Sequence, residues 1–225
     1  DYVSSIDKEA EVAIIGTLRK SYPDHSFICE ESGIDNGSDT DHQWIIDPLD
    51  GTTNFIHGIP HFAVSIALKI KGRTEVGVVF DPIRNELFSA VRGQSAQING
   101  YRTRTSTVPK LAGTLLATGF PFKQKYNLEA YLNIFQELFT DVADMRRSGS
   151  AALDLAYVAT GRMDGFWEFG LKPWDIAAGE LLLKESGAMM TDFAGGNDYF
   201  KSGNVVAANP KLLKEMLTVI RKHTA

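Results

Sequence analysis

The segment from Phe62 to Arg92 constrains the fold more than any other part of the chain. Three β-rich runs follow one another there, FAVSIALKI, TEVGVVFD and ELFSAV, separated only by Lys71-Gly72-Arg73 and by Pro82 to Asn85. Connections this short join antiparallel neighbours, because parallel strands need a long crossover. The following AQINGYRTR predicts a hairpin that turns at Asn99-Gly100. The middle of the chain is therefore predicted to form an antiparallel meander.

Helical patterns lie on both sides of this meander. They cover Ile6–Ser21, Leu128–Phe139, Ala151–Ala159, Pro173–Ser186 and Pro210–Lys222. Short strands are predicted between them in HSFICE, Trp44–Asp47, DGFWEF, AMMTDF and GNVVAAN, and SGIDNGSDTDH is predicted to be a polar loop. Runs of strands without strict βαβ alternation favour α+β layers over a doubly wound sheet. We expect a single domain over residues 1–225, with a candidate subdomain boundary near residues 108–112.

Composition narrows the class of protein. The chain has 225 residues, 44% of them hydrophobic, which is enough for a substantial core. A formal net charge of -5 without a long basic run argues against a nucleic-acid or anionic-membrane surface. No apolar run approaches the roughly 20 residues of a membrane span. Cys29 is the one cysteine, so an internal disulfide is excluded and a cytoplasmic location is expected.

The string WIIDPLDGTTNFIHG carries the most chemical information. Asp47 and Asp50 stand three residues apart where an apolar strand runs out. Other acids also lie at element ends, namely Glu30, Glu31, Asp175 and Asp7. Several carboxylates in one place repel one another unless a divalent cation neutralises them. Oxygen ligands of this kind suit Mg²⁺, with Mn²⁺ as an alternative.

The rest of the loop suits a phosphate. Pro48 stiffens the turn between the aspartates, and GTTN can open a helical turn whose N–H groups face an anion. Thr52 can hydrogen-bond a water molecule. His57 and His61 in HGIPH are not expected to bind zinc, because the Gly-Ile-Pro between them disfavours the required helix.

Each acid alone has a simpler explanation. One aspartate before a turn is usually a turn former or a helix cap, and Glu30-Glu31 alone could be solvated. Asp175 alone could be a favourable charge at a helix N-terminus. Capping does not explain the complete DPLDGTTN string.

DPLDGTTN, with EES upstream and WDIAAGELLLKESG downstream, closely resembles the inositol monophosphatase family, with the bacterial members nearest. The resemblance runs essentially the whole length and implies Mg²⁺-dependent, lithium-sensitive phosphatases with a layered αβαβα sandwich, commonly assembled as a homodimer. Family members usually carry a few dozen residues ahead of DYVSSID. The fold is therefore expected to lack part of the N-terminal helical layer.

The resemblance also implies roles for individual residues. It assigns Glu30, Asp47, Asp50, Asp175 and the Leu49 main-chain oxygen to metal, two or three ions per site. It assigns Asp7 and Thr52 to the orientation and deprotonation of the attacking water. It assigns Glu31 to an indirect or water-mediated contact with the metal. Gly51 and Thr52 amides would face phosphate, and Gly149, Ser150, Ala151 and Glu168 would contact the alcohol.

Several of these residues keep simpler alternatives. Ser150 could only cap a helix, and Glu168 could point to solvent. Arg146 and Arg147 could attract phosphate, although structural ion pairs explain them as well. Trp44 and Trp174 are expected to be packing residues.

These assignments predict direct attack of a metal-activated water on a phosphate monoester, most simply myo-inositol 1-phosphate. A phosphoenzyme is disfavoured, because the position two before Asp50 is Pro48. Fructose 1,6-bisphosphate, a 3′-phosphonucleotide or histidinol phosphate are alternative substrates. A mainly regulatory or scaffold protein on a phosphatase fold is the other alternative. Nothing in the sequence indicates a nucleic-acid or regulatory protein partner.

Overall fold

The computed structural model describes residues 5–122 and 125–224. Its helices are α1 Ser5–Ser21, α2 Thr52–Ile56, α3 Leu128–Phe139, α4 Ala151–Ala159, α5 Pro173–Ser186, α6 Tyr199–Ser202 and α7 Pro210–Thr224, with a 3₁₀ turn at Lys125–Asn127. Its strands are β1 His25–Cys29, β2 Gly33–Asp35, β3 Asp39–Asp50, β4 Ala63–Ile70, β5 Arg73–Asp81, β6 Glu86–Val91, β7 Gln97–Ile98, β8 Tyr101–Arg102, β9 Leu115–Thr118, β10 Asp144–Arg146, β11 Gly165–Glu168, β12 Met189–Thr191 and β13 Val205–Ala208.

The ends of α4 and α5 follow from local chemistry. Ser150 precedes α4, and its hydroxyl accepts the Leu153 N–H at 3.4 Å. Pro173 opens α5, where its fixed φ suits the first helical position. Gly187 ends α5 in the left-handed conformation, with φ 91°. These signals are readable in sequence, and both predicted helices have the observed bounds.

The larger sheet contains the predicted meander. Its eight strands run in the order β2-β1-β3-β4-β5-β6-β7-β8, and β1 and β3 are its parallel pair. Asn99 and Gly100 take φ values of 49° and 81° in the predicted hairpin turn. Positive φ at both central residues is the requirement of a type I′ turn.

The smaller sheet is mixed. Its five strands run in the order β10-β9-β11-β13-β12, with β9 parallel to both β10 and β11. The candidate boundary near residues 108–112 falls in the segment that links the larger sheet to β9.

Five layers stack on one another. α1 covers the outer face of the larger sheet through Ile14, Ile15 and Leu18, and α4 and α5 lie between the two sheets. α3 and α7 cover the outer face of the smaller sheet. A Cβ at Gly77 of β5 would lie 2.9 Å from the Ala178 carbonyl oxygen, so α5 packs directly on this strand. The expected α+β sandwich is confirmed. Among the described residues, α1 is the helix that covers the outer face of the larger sheet.

The prediction of a continuous polar loop in SGIDNGSDTDH is wrong. Gly33–Asp35 forms β2, and β3 already begins at Asp39. β2 pairs antiparallel with β1, so edge pairing overrides the polar composition. The short elements β9, β10 and α6 were also not predicted from the sequence.

Within the described ranges, every helix is too short or too polar to cross a membrane.

Candidate active site

The site begins at an irregularity in β3. Asp47 pairs with Ser65 of β4, whereas Asp50 pairs with Ala63, so β3 contains one residue more than its partner over this stretch. The Asp47 side chain accepts the Leu49 N–H at 2.9 Å, which holds the turn closed. The register break therefore turns both aspartates toward the same end of the sheet.

Asp175 joins them from the first turn of α5. One carboxylate oxygen each from Asp47, Asp50 and Asp175 lies within 4.8 Å of the others. Glu30 and Leu49 line the same cleft. The donors are oxygen atoms, and this fits Mg²⁺ or Mn²⁺ rather than a zinc site built from Cys and His.

The electrostatics of Asp47 support a cation at this place. Its side chain is 1% exposed. Burial, and then the negative charges of Asp50, Glu30 and Asp175, raise the pKa of Asp47 well above its ordinary value. A divalent cation would remove this repulsion and keep the carboxylates ionised.

Asp50 also connects the loop to the middle layer. Its Oδ2 accepts a hydrogen bond from the Ser150 hydroxyl at 2.6 Å and another from the Ala152 N–H at 2.7 Å. Ser150 therefore has two functions, since it caps α4 and also orients Asp50. Asp175 similarly accepts the Lys172 N–H at 2.6 Å, so its expected capping role coexists with its place in the cluster.

A hydroxyl and a buried carboxylate lie beside the acids. Thr52 Oγ1 is 3.1 Å from Asp7 Oδ1 and also 3.1 Å from the Leu49 carbonyl oxygen. Asp7 is 1% exposed, although it belongs to the outer helix α1. Gly51 precedes α2 with φ 100°, and a Cβ there would lie 3.1 Å from the His61 carbonyl oxygen. Glycine is therefore required at this turn.

Glu31 follows Glu30 in the chain, but it is not among the described residues that line the cleft. Its N–H and that of Ser32 donate to the Glu11 carboxylate at 3.0 and 2.9 Å. Desolvation, followed by the charges of Asp7 and Glu11, raises the pKa of Glu31. Glu11 was not predicted as a site residue, because its position in the sequence is that of an ordinary helix-surface acid. It is nevertheless 3% exposed, and its two hydrogen bonds hold this turn.

The cleft has a volume of about 610 Å³, which is suited to a small ligand. Gly149, Ser150, Ala151 and Glu168 line it beyond the acids. Glu168 faces the cleft, and a Cβ at Gly119 would lie 2.0 Å from its carboxyl carbon. A side chain at position 119 would therefore force the Glu168 carboxyl group to move from this position.

Asp154 of α4 is a further acid of the cleft, and it was not predicted from the sequence. It lines the cleft and is 1% exposed, and its Oδ1 has no hydrogen-bond partner among the described residues. Burial is the main cause that raises the pKa of both Asp154 and Glu168. The negative charge of Asp154 raises the pKa of Glu168 further, and that of Asp50 raises the pKa of Asp154. The i+4 spacing from the predicted cap at Ser150, one helical turn away, was the signal that could have indicated Asp154.

The two adjacent arginines have different environments. Arg147 lines the cleft, and its guanidinium carbon lies 5.1 Å from the Phe120 ring centroid and 5.9 Å from that of Phe122. Arg146 pairs with Asp144 at 2.5 Å on the surface. The ion-pair interpretation is therefore correct for Arg146, whereas Arg147 forms part of the cleft wall.

Asn54 fixes the loop that carries these groups. Its side-chain amide donates to the His61 carbonyl at 2.8 Å and to the Ser148 carbonyl at 2.9 Å. A Cβ at Gly149 would lie 2.8 Å from the same amide. The DPLDGTTN loop and the segment before α4 are thus locked together, which explains the asparagine at the end of the motif.

Known proteins were compared with the chain. The model of the inositol monophosphatase family matches residues 1–225. The protein named Nus factor SuhB from Escherichia coli K12 is 63% identical over 221 residues, which cover 98% of this chain and 83% of the relative.

Solved structures give the same result. The extragenic suppressor protein suhB from Bartonella henselae is 46% identical with a TM-score of 0.96, over 99% of this chain and 85% of that one. The Thermotoga maritima IMPase is 36% identical with a TM-score of 0.91, over 100% of this chain and 85% of that one. SaIMPase-II with bound inositol monophosphate is 29% identical with a TM-score of 0.86, over 97% of this chain and 85% of that one. With the whole sequence matched, and with the layers and acidic cleft described above, the chain belongs to the inositol monophosphatase family.

Proposed function

We propose that the protein hydrolyses a phosphate monoester in a Mg²⁺-dependent reaction, with myo-inositol 1-phosphate as the preferred substrate. The observation that carries this proposal is the approach of Asp47, Asp50 and Asp175 to within 4.8 Å in a cleft of ligand size. The relative SaIMPase-II, which was solved with inositol monophosphate, supports the choice of substrate.

The acids divide into two overlapping sets. Glu30, Asp47 and the Leu49 carbonyl oxygen would hold one Mg²⁺, and Asp47, Asp50 and Asp175 would hold a second. When bound, Mg²⁺ supplies Lewis acidity that stabilises charge on the phosphoryl group and acidifies a water molecule. Asp47 belongs to both sets, so its substitution should affect both.

Thr52 and Asp7 prepare the nucleophile in this proposal. The Thr52 hydroxyl lies between the Asp7 carboxylate and the Leu49 carbonyl, both at 3.1 Å. It can donate to Asp7 while its oxygen accepts from a water molecule in the cleft. Asp7 then accepts the proton that the water loses through this hydroxyl. Glu31, beside Asp7, is proposed to support this pair through water.

The remaining assignments concern the substrate. The Gly51 and Thr52 amides would bind phosphate oxygens at the start of α2. Gly149, Ser150, Ala151 and Glu168 would contact the alcohol. Two acids, Glu168 and Asp154, stand at that end of the cleft. Carboxyl groups form hydrogen bonds with hydroxyl groups and offer no positive charge to a second phosphate, which favours a polyol over fructose 1,6-bisphosphate.

The test is phosphate release from myo-inositol 1-phosphate with and without Mg²⁺. Inositol 2-phosphate, fructose 1,6-bisphosphate and 3′-phosphoadenosine 5′-phosphate serve as competing substrates. We expect Mg²⁺-dependent turnover that Asp47→Asn abolishes and Asp41→Asn, on the exposed part of the same strand, retains. A preference for another ester would change the substrate. A folded, Mg²⁺-binding protein without turnover of any ester would overturn the catalytic proposal.

A second candidate function has its own support. Relatives that are 55–63% identical carry the name Nus factor SuhB. That name favours a mainly regulatory or scaffold role, with components of a transcription complex as partners, more directly than it favours inositol phosphate hydrolysis. The sequence alone did not indicate such partners.

The two candidates respond differently to Asp47→Asn. A regulatory role predicts that affinity capture from a cell extract retrieves the same transcription components with wild type and with this variant. Loss of those components together with turnover would link the role to the metal site. We also propose that the protein is cytoplasmic and that it forms a homodimer. Light scattering of the full chain would detect the dimer.

A further inference from the structure

The end of β3 opposite the cleft brings two histidines and an aspartate together. His25 begins β1, and Asp39 and His42 lie in the first part of β3. One side-chain ligand atom from each of the three lies within 4.8 Å of the others. The two imidazole rings are stacked, with centroids 4.6 Å apart and planes inclined by 13°. None of these residues lines the cleft within the part of the chain that the structure describes.

A break in register creates this arrangement. His25 pairs with Asp39, whereas Ser26 pairs with Gln43. β1 therefore advances by one residue while β3 advances by four, and the extra residues of β3 return His42 to the side of His25. Irregularities of this kind re-aim side chains, so the cluster is built into the backbone of the sheet.

The surrounding loop is held in place. The Asp39 N–H donates to the Asp24 carbonyl at 2.8 Å, and the Ser26 hydroxyl donates to the Asp39 carbonyl at 3.1 Å. The Gly37 N–H donates to the Ser26 hydroxyl at 3.2 Å. A Cβ at Gly37 would lie 2.1 Å from the Asp24 carbonyl oxygen, so the loop leaves no room for a side chain there. The backbone that presents Asp39 is thus fixed before any ligand binds.

Asp39 in turn orients His42. Asp39 Oδ1 accepts the N–H groups of Asp41 at 3.0 Å and His42 at 3.2 Å. Its Oδ2 lies 2.7 Å from His42 Nδ1. A cation that takes the place of the proton in this contact would be held by the carboxylate oxygen and by the Nδ1 lone pair together.

His25 has a partner that can report on binding. The indole N–H of Trp44 donates to His25 Nδ1 at 3.1 Å. A cation that takes this nitrogen must displace the indole N–H. Binding at His25 should therefore change the fluorescence of Trp44.

We propose that His25, Asp39 and His42 form a second cation site, which takes a divalent transition metal such as Zn²⁺ in preference to Mg²⁺. Imidazole nitrogen suits Zn²⁺, whereas Mg²⁺ prefers oxygen ligands. Three protein ligands leave a position for water. Zn–N bonds of about 2.1 Å require the three ligand atoms to move closer together. Small rotations of the half-exposed His42 ring allow this movement. The cation would tie the start of β1 to β3.

The experiment is a calorimetric titration of the full chain with Zn²⁺ in excess Mg²⁺, which occupies the carboxylates of the cleft. Tryptophan fluorescence is followed in a parallel titration with Co²⁺. We expect one Zn²⁺ to bind despite the Mg²⁺, with a rise in Tm and a change in fluorescence. Asp39→Asn should weaken binding by at least about 10-fold, because it removes a charged ligand. His42→Ala should abolish it together with the fluorescence change.

Two matched controls test whether the effect is specific. His57→Ala removes an exposed histidine elsewhere, and Asp41→Asn removes a neighbouring aspartate of the same strand. Both should bind Zn²⁺ as wild type does. Equal Zn²⁺ binding by wild type and His42→Ala, or no Zn²⁺ binding in excess Mg²⁺, would overturn the proposal. If circular dichroism shows that His42→Ala is unfolded, Asp39→Asn decides the question. The outcome does not depend on phosphatase activity.

Discussion

The two ends of β3 differ in chemistry, although a register break shapes each of them. At the cleft end, one extra residue in β3 brings Asp47 and Asp50 to the same side. At the opposite end, three extra residues return His42 to His25. The cleft end is buried and gathers carboxylates, whereas the other end is half-exposed and stacks imidazoles.

This difference shows how one strand can present two kinds of ligand set. A bulge sets only the direction of the side chains. The residue types then determine whether the proposed site prefers a hard cation such as Mg²⁺ or a borderline cation such as Zn²⁺. Burial separates the ends further, because it raises the free energy of charged Asp47 and so makes a neutralising cation more valuable there.

The largest effect is expected at the cleft end, on turnover. Thr52→Ala and Asp7→Asn should each lower kcat by about 10²- to 10⁴-fold, because each removes half of the pair that is proposed to orient and deprotonate water. The double variant should be little worse than either single variant, since the residues act as one unit. Steady-state kinetics on myo-inositol 1-phosphate measures this, with Asp41→Asn as the control on β3. Multiplying losses in the double variant would show that the two residues act separately.

A smaller effect is expected on stability, with opposite pH dependence at the two ends. Burial and then Asp50 raise the pKa of Asp47. Its favourable contribution is therefore complete below the ordinary aspartate pKa and is lost as the pH rises through the raised value. For Asp39, partial desolvation acts to raise the pKa, but hydrogen bonds from His42 and Asp41 outweigh it and lower the pKa. Its contribution is present above the ordinary pKa and is lost as the pH falls through the lowered value.

Tm measured against pH with a chelator tests this contrast. Asp47→Asn should remove the decline in Tm between acidic and neutral pH, and should raise Tm at neutral pH. Asp39→Asn should lower Tm at neutral pH and have little effect in strong acid. An unchanged pH profile for Asp47→Asn would mean that the buried carboxylate does not destabilise the metal-free protein.

The smallest effect is expected for Asp41, an exposed aspartate near the start of β3. Its carboxylate lies 3.9 Å from Lys71 Nζ, and both side chains are largely exposed, at 60% and 76%. Solvent screens such a pair, so Asp41→Asn should change the free energy of unfolding by less than about 0.5 kcal/mol. Urea denaturation measures it. A loss above about 1 kcal/mol would show that charge at this end of β3 matters beyond the histidine cluster.

Long elements with clear end signals were predictable from the sequence. Ala151–Ala159 and Pro173–Ser186 have the predicted bounds, because a serine cap, a proline and a glycine mark their ends. Leu128–Phe139 also has the predicted bounds, although no side chain caps its start. The three-residue strands β2 and β10 were missed, since so short a segment has too little alternation to stand out. The parallel pairing of β1 with β3 was also missed, because register depends on tertiary contacts.

The residues of the candidate site likewise fall into those that could be predicted from the sequence and those that could not. The acids of DPLDGTTN were identified because the string is dense and sits beside a turn. Glu11, Asp154 and Gly119 were not identified, because each matters only through a segment that is distant in sequence. The cluster of His25 and His42 was missed for a further reason. Its β3 residues were assigned to a polar loop, and a loop gives no basis for predicting which side chains stack.

The hydrogen bonds of Asp50 to the start of α4 have a consequence for biosynthesis. Asp50 leaves the ribosome 100 residues before Ser150, its partner. The larger sheet can begin to pair in that interval, since chains fold from the N-terminus as they are made. Asp175 follows later still. The nascent protein must therefore carry repelling carboxylates at an unfinished strand end, and the proposed cation, which needs Asp175, could bind only when the chain is nearly complete.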